Sequence, residues 1–477
     1  MRSRLRVTAA SAALAGAAVA ALPDAALAHG LVGRQDLPIP RWLFAWGAAV
    51  VLVVSFVALA VLWPKPRLEQ VREKRVLGVP AALEVLCGIA GIAAFVLVVW
   101  AGLAGTQTAT ANLAPTVIYV VFWVGIPFAS AVLGDVFGAF NPWRAVARGV
   151  SWVAGRVAGD RLPEPTAYPA WLGRWPAAVG IFLFAWVELV YVNRDDPSIL
   201  AGLALLYAAI QLVGMSVYGI DTWTRNADPF AVYFRMFAKL APLHWRSRAL
   251  HRRPPLAGAP GLRTVPGTVA LLCVMIGTTS FDGFSQGDLW TGTNGIAPTL
   301  QQRFLNLGFS QETALQITFT IGLLLMVCLV GGLYRLGIAG MGSIGGRHAP
   351  GELARRFAHS LIPIALAYVV AHYFSLLVYQ GQAMASLLSD PLGDGSNIFG
   401  TAGATIDYNI ISATGIWYVQ VAALILGHAA GLTLAHDRAL TVYRRVRDAT
   451  RSQYWMLAVM VGFTSLGLWL LSASAQS

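Results

Sequence analysis

Apolar residues in this chain come in runs near twenty residues long, separated by short polar segments in which Arg and Lys collect. Ten such runs can be traced: Trp42 to Trp63, Val79 to Gly105, Pro115 to Phe137, Trp175 to Val192, Ile199 to Gly219, Val265 to Phe281, Ala314 to Leu336, Phe357 to Tyr379, Ile410 to Leu434 and Tyr454 to Leu471. At about 1.5 Å per residue, a helix of this length crosses the ~30 Å of a bilayer core. Strands need far fewer residues, and only a helix satisfies its own backbone within lipid. The pattern therefore predicts an all-α polytopic transmembrane helix bundle.

The basic residues fall on every second side of these runs. Lys65, Arg67, Arg72, Lys74 and Arg75 follow the first run, Arg144, Arg148, Arg156 and Arg161 the third, and Arg225, Arg235, Lys239, Arg246, Arg248, Arg252 and Arg253 the fifth. Such alternation places those loops in the cytoplasm and the mature N-terminus outside. Ahead of the first run, Arg2, Arg4 and Arg6 precede an Ala-rich stretch ending Ala26-Leu27-Ala28. This reads as a secretory signal peptide over residues 1–28, leaving 29–477 as a single integral membrane domain. Cleavage would make His29 the first residue, whose amine and imidazole can chelate a metal, although Gly30 to Arg41 offers no second imidazole.

Composition narrows the partners. Hydrophobic residues make up 57% and charged residues 12% of the chain, far from a soluble domain. The net charge of +12 sits in loops between spans, where it faces anionic lipid, so nucleic acid is not an expected partner. Cys87, Cys273 and Cys328 each lie within an apolar run and encode no disulfide framework. The sequence leaves the oligomeric state open.

One internal echo is visible. Gly134-Asp135 followed by Asn141-Pro142-Trp143-Arg144 resembles Gly219-Ile220-Asp221 followed by Asp228-Pro229-Phe230. In both, an Asn or Asp cap and a Pro at the first helical position start a basic, aromatic segment expected to lie along the inner membrane surface. His436-Asp437-Arg438 is expected to repeat that capped surface helix without the proline. The echo fits a duplicated transporter unit, but the plain need of any inward span for a cap and basic anchors explains it more readily.

Ionisable groups inside spans point to function, because an unpaired charge in hydrocarbon costs several kcal/mol. Toward the outer face the order of spans places Glu188, Asp282 and His372, with Arg194, Asp195, Asp196, Asp288 and Asp407 at the mouth. Toward the inner face it places Glu84, Asp135, Asn141, Asp221, His359, His428 and His436. His359 and His372 are thirteen residues apart on one helix, about 20 Å, and cannot share an ion. A metal site must therefore combine helices: His372 with Asp282 or Glu188, or His359 with His428, a pair that also satisfies imidazoles in the headgroup layer without any ligand. The same pair is the only candidate for a haem held by two histidines. The glycines Gly337, Gly340, Gly342, Gly345 and Gly346 lack a following Gly-Lys-Ser/Thr and read as a flexible cytoplasmic loop.

The segment Ala28-His29-Gly30-Leu31-Val32-Gly33-Arg34-Gln35-Asp36-Leu37-Pro38-Ile39-Pro40, running into Trp42-Leu43-Phe44-Ala45-Trp46, together with Gly427-His428 to His436-Asp437-Arg438, resembles the bacterial multi-pass membrane proteins called fenitrothion hydrolases. The resemblance implies hydrolysis of an aryl phosphorothioate triester by water attack at phosphorus, with a small hydrophobic substrate reaching the bundle through lipid. That chemistry needs an activated water and stabilised charge on phosphorus. Depth and residue type nominate His372 and Asp282 as divalent-metal ligands or general base, Glu188 as a second carboxylate, and Arg194 near the developing charge. The competing expectation is a transporter or metal-handling permease with a buried carboxylate/histidine ion path. A third is an assembly factor whose polar residues serve helix packing.

Overall fold

A computed structural model describes residues 41–473 apart from 70, 159–163, 247 and 345–347, with side chains from 46 to 468. The leader and His29 lie outside the described residues, as do Arg161, Gly345 and Gly346. Each of the ten apolar runs is helical. Helix α1 spans Arg41–Leu62, α2 Ala81–Ala104, α3 Leu113–Leu133, α4 Val136–Phe140 and α5 Pro142–Ala158. They are followed by α6 at Trp175–Leu189, α7 at Pro197–Tyr218, α8 at Ile220–Asn226 and α9 at Pro229–Ala238. The second half contributes α10 at Thr268–Ser285, α11 at Gln311–Gly342, α12 at Leu361–Gln380, α13 at Ala413–Val442 and α14 at Val446–Ala473. Among the described residues, seven helices are long and apolar enough to cross a membrane, while Trp46–Leu62 and Trp175–Leu189 are shorter apolar helices.

The centre of the bundle is α10, buried along nearly its whole length from Leu271 to Asp282 and packed against α6, α11 and α12. Helices α12 and α13 pack tightly, because Gly427 leaves no Cβ where Ala367 and the Pro363 carbonyl approach. By contrast α2 leaves Leu83, Val85, Leu86, Ile89 and Val96 exposed, the all-round apolar surface of a helix that meets lipid.

Four expectations need correction. The basic segments are not all loops: β1 (Lys74–Gly78), β2 (Leu243–Arg246) and β3 (Ala249–Arg252) form an antiparallel sheet in the order β1-β3-β2. Arg248, at φ 54, turns the chain between β2 and β3. Strands this short carry little periodicity, and one partner lies far away in sequence. Gly337, Gly340 and Gly342 lie within α11 and are helical, not loop. Asp437 does not cap a separate surface helix: α13 continues unbroken to Val442, and the buried Asp437 carboxylate accepts from Trp63 Nε1 at 2.8 Å, Arg67 N at 2.6 Å and Leu68 N at 3.1 Å. It clasps the chain leaving α1.

The fourth correction concerns the echo. Both copies are built alike: a long helix ends at a glycine with positive φ (Gly134 at 90°, Gly219 at 83°), a short helix follows, and an Asn or Asp cap starts a third. Asn141 accepts from Arg144 N at 2.9 Å and Asp228 from Ala231 N at 3.1 Å, each satisfying a helix-end donor. Their surroundings differ. Helix α5 is amphipathic and leaves Val150, Trp152, Val153 and Val157 exposed, whereas α9 is not a surface helix. Phe230, Tyr233, Phe234 and Phe237 are all buried, against α3 and α6. The one basic residue of α9 misled the surface reading, because Arg235 is half-buried and paired with Asp135 at 2.9 Å. The two copies also hold each other: Asn141 Nδ2 donates to Asp228 Oδ2 at 3.2 Å, and Arg144 reaches Asp221 at 4.0 Å.

Candidate functional site

Four helices bring polar groups to one buried point. The backbone of α3 is π-helical from Val117 to Gly125, a wide turn often found at functional positions, and this stretch carries Tyr119 and Trp123. Glu188 lies in the last turn of α6, Asp282 in the last turn of α10, and His372 and Tyr373 in the middle of α12.

His372 Nε2 meets Asp282 Oδ2 at 2.7 Å. Tyr373 donates its hydroxyl to the same Asp282 oxygen at 2.8 Å and lies 3.5 Å from Glu188 Oε1. The four side chains thus form a line, Glu188–Tyr373–Asp282–His372. Glu188 is 4% exposed, and its second oxygen, Oε2, has no hydrogen-bond partner among the described residues. Trp123 stands beside Glu188 and Tyr373 and interacts with both, although its buried indole N–H makes no well-aligned hydrogen bond to either. An acceptor and a donor thus stand side by side without a well-formed bond between them. At the far end of the line, a Cβ on Gly283 would come 3.5 Å from His372 Nδ1, so the missing side chain leaves space beside that nitrogen.

Electrostatics make the line unusual. Two carboxylates joined through one hydroxyl in apolar surroundings repel strongly, since low dielectric magnifies Coulomb terms. One protonated imidazole can balance one of them. The other requires a proton or another cation.

The structure thereby joins three of the four residues nominated for catalysis, His372, Asp282 and Glu188. Arg194 is placed at the edge: it acts on Glu188 through space, but its guanidinium sits 3.8 Å from Asp195, and its carbonyl accepts from Tyr119 at 2.8 Å. Asp196 is a helix cap for α7, accepting from Ser198 N at 2.9 Å and Ile199 N at 3.0 Å. Bonds from the Ser198 hydroxyl and these amides hold its carboxyl below the usual range. The candidate pair His359 and His428 each meet a backbone carbonyl of their own. His359 Nδ1 meets the Arg356 carbonyl at 3.0 Å, and His428 Nδ1 the Leu424 carbonyl at 2.8 Å. The α13 neighbour of His359 is Leu434, six residues and about 9 Å beyond His428. Among the described residues, no three His, Cys, Asp or Glu side chains converge as a metal-ligand set.

Sequence reasoning missed Tyr373 and Trp123. Tyr373 follows His372 directly within an apolar span, which was a usable signal; Trp123 is one of many tryptophans and gave none.

A second buried carboxylate shows what a closed site looks like. Asp228 accepts from Tyr207 Oη at 2.6 Å, Trp143 Nε1 at 3.1 Å, Asn141 Nδ2 at 3.2 Å and its own Ala231 N at 3.1 Å. Burial lifts its carboxyl above the usual range, against the pull of these donors.

No family model matches the chain, and neither a curated protein nor a solved structure matches it.

Proposed function

We propose that this chain is a ten-span permease of a bacterial inner membrane, with its processed N-terminus outside, which passes a proton or small cation through the Glu188–Tyr373–Asp282–His372 line. The observation that carries this reading is the state of Glu188: buried, tied by one oxygen to a tyrosine shared with Asp282, and met at the other by no well-aligned donor, with Trp123 beside it. Carboxylates kept inside a membrane bundle are expensive, and a chain of them with a histidine is the usual form of a proton relay. His372 and Asp282 would hold the charge at one end, Tyr373 would pass a proton between the carboxylates, and Glu188 Oε2 would exchange it beside Trp123. The cross-paired helix units support the same reading, since duplicated units are frequent in transporters.

A second reading, hydrolysis of aryl phosphorothioate triesters such as fenitrothion, is favoured by the His372–Asp282 dyad. A carboxylate that fixes one imidazole nitrogen leaves the other to take a proton from water, and Gly283 leaves room beside His372 Nδ1. Glu188 would be the second carboxylate and Arg194 the nearest cation. A divalent ion used in that chemistry would take His372 and Asp282 as ligands.

One experiment separates the two. Full-length protein reconstituted into vesicles enclosing a pH-sensitive dye should dissipate an imposed pH gradient, and Glu188→Gln should stop it. Release of nitrophenol from a chromogenic aryl phosphotriester by the same vesicles, with the gradient left intact, would overturn the permease and favour the hydrolase.

A further inference from the structure

On another side of the bundle, five helices, α10, α11, α12, α13 and α14, enclose a pocket whose lining includes Ile276, Tyr334, His428, Met456 and Met460. Its walls are apolar, with one exception. His428 is fully buried, and its Nε2 has no hydrogen-bond partner among the described residues. The other ring nitrogen fixes the tautomer. Nδ1 sits 2.8 Å from the Leu424 carbonyl, which can only accept, so Nδ1 carries the hydrogen and Nε2 presents a bare lone pair. A buried acceptor left in this state is costly, because it has lost its water and gained no donor. The Tyr334 hydroxyl does not relieve it, since that group donates to the Ala354 carbonyl at 2.7 Å.

What the pocket offers beside the imidazole is sulfur. Met456 and Met460 stand four residues apart on α14, which puts both thioethers on one helix face. Both are buried and both line the pocket with His428. A water molecule needs two or more polar partners, and this pocket supplies one. A hard divalent ion needs oxygen ligands, and none is free here. Two thioethers and one neutral imidazole in an apolar shell suit a soft monovalent ion, for which thioether ligands are selective. We propose that His428, Met456 and Met460 form a binding site for Cu(I). His428 was a candidate metal ligand from the sequence in combination with His359; the structure places it in one pocket lining with two methionines. The site shares no residue with the Glu188 line and does not depend on the permease reading.

The test uses detergent-purified full-length protein, loaded anaerobically with Cu(I) and challenged with a chromophoric Cu(I) chelator. Wild type should retain one Cu(I) per chain, with sulfur and nitrogen scatterers in X-ray absorption. Met456→Leu with Met460→Leu keeps volume and apolarity, so the fold is preserved, and should weaken binding by about 100-fold or more. His428→Leu should do the same, while Glu188→Gln should leave retention unchanged. Absence of retained copper in wild type, or undiminished retention in the double methionine variant, would overturn the site. Loss confined to Glu188→Gln would assign the ion to the Glu188 line and also overturn it.

Discussion

Asp228 and Glu188 are both carboxylates buried in the bundle, and they are treated in opposite ways. Asp228 is surrounded by donors from its own helix and two other segments: Ala231 N, Tyr207, Asn141 and Trp143 together occupy both oxygens. Glu188 has one long contact to Tyr373, which is itself committed to Asp282, and a second oxygen with no well-aligned donor among the described residues, though Trp123 lies beside it. Closing a buried carboxylate with fixed donors makes a structural joint, here the one that locks the two copies of the helix unit together. Leaving one open has a cost with no structural return, and such groups gather where ions or protons are handled.

The largest effect is expected from breaking the closed site. Asp228→Ala strands the Tyr207, Trp143 and Asn141 donors in the interior and should cost about 3 kcal/mol or more, at 1–3 kcal/mol for each buried group left unpaired. Thermal unfolding in detergent should show it as a large fall in melting temperature. A change of only a degree or two would mean that the joint is not structural, and the comparison fails. The open site should respond the other way: Glu188→Gln should lower proton flux by about 100-fold, a general acid–base contribution, while melting stays at or above wild type. A variant that unfolds but still conducts would reverse the roles assigned to the two sites.

The contrast also marks how far sequence reading reaches. Helices long enough to cross a membrane were legible because twenty-residue apolar runs leave few alternatives. Glu188, Asp282 and His372 were legible as a layer, since helical rise converts position into depth. What could not be read was azimuth: which face of each helix a residue occupies depends on packing. This hid the sharing of Tyr373 between two carboxylates, and it hid the burial of α9, whose Arg235 looked like a surface anchor until Asp135 was seen beside it. The three-stranded sheet was invisible for a related reason, because pairing β1 with β3 is a long-range event that four or five residues do not announce.

A finer test bears on the line itself. Tyr373→Phe removes the hydroxyl that touches both carboxylates and nothing else, so Asp282 keeps His372 at 2.7 Å while Glu188 loses its contact. Flux should fall about 10-fold, less than in Glu188→Gln, because a water molecule can occupy part of the vacated route. Flux equal to wild type would remove the tyrosine from the path and leave two separate sites.

The smallest expected effect is a pH signature at Asp228. Burial raises its carboxyl above the ordinary value of 3.8, so the folded chain still holds this proton at a pH where the unfolded chain has released it. Stability then rises as pH falls through the native value, is complete below 3.8, and carries the full penalty of the ionised form above that window. Asp228→Asn cannot titrate and removes this slope. The melting-temperature gap between wild type and Asp228→Asn should therefore shift in favour of wild type on going from neutral to mildly acidic pH, by on the order of 1–2 °C. A shift in favour of the Asn variant would mean that the four donors outweigh burial and that the ionised carboxylate is the form the joint prefers. The closed site would then differ from the open one in charge as well as in hydrogen bonding.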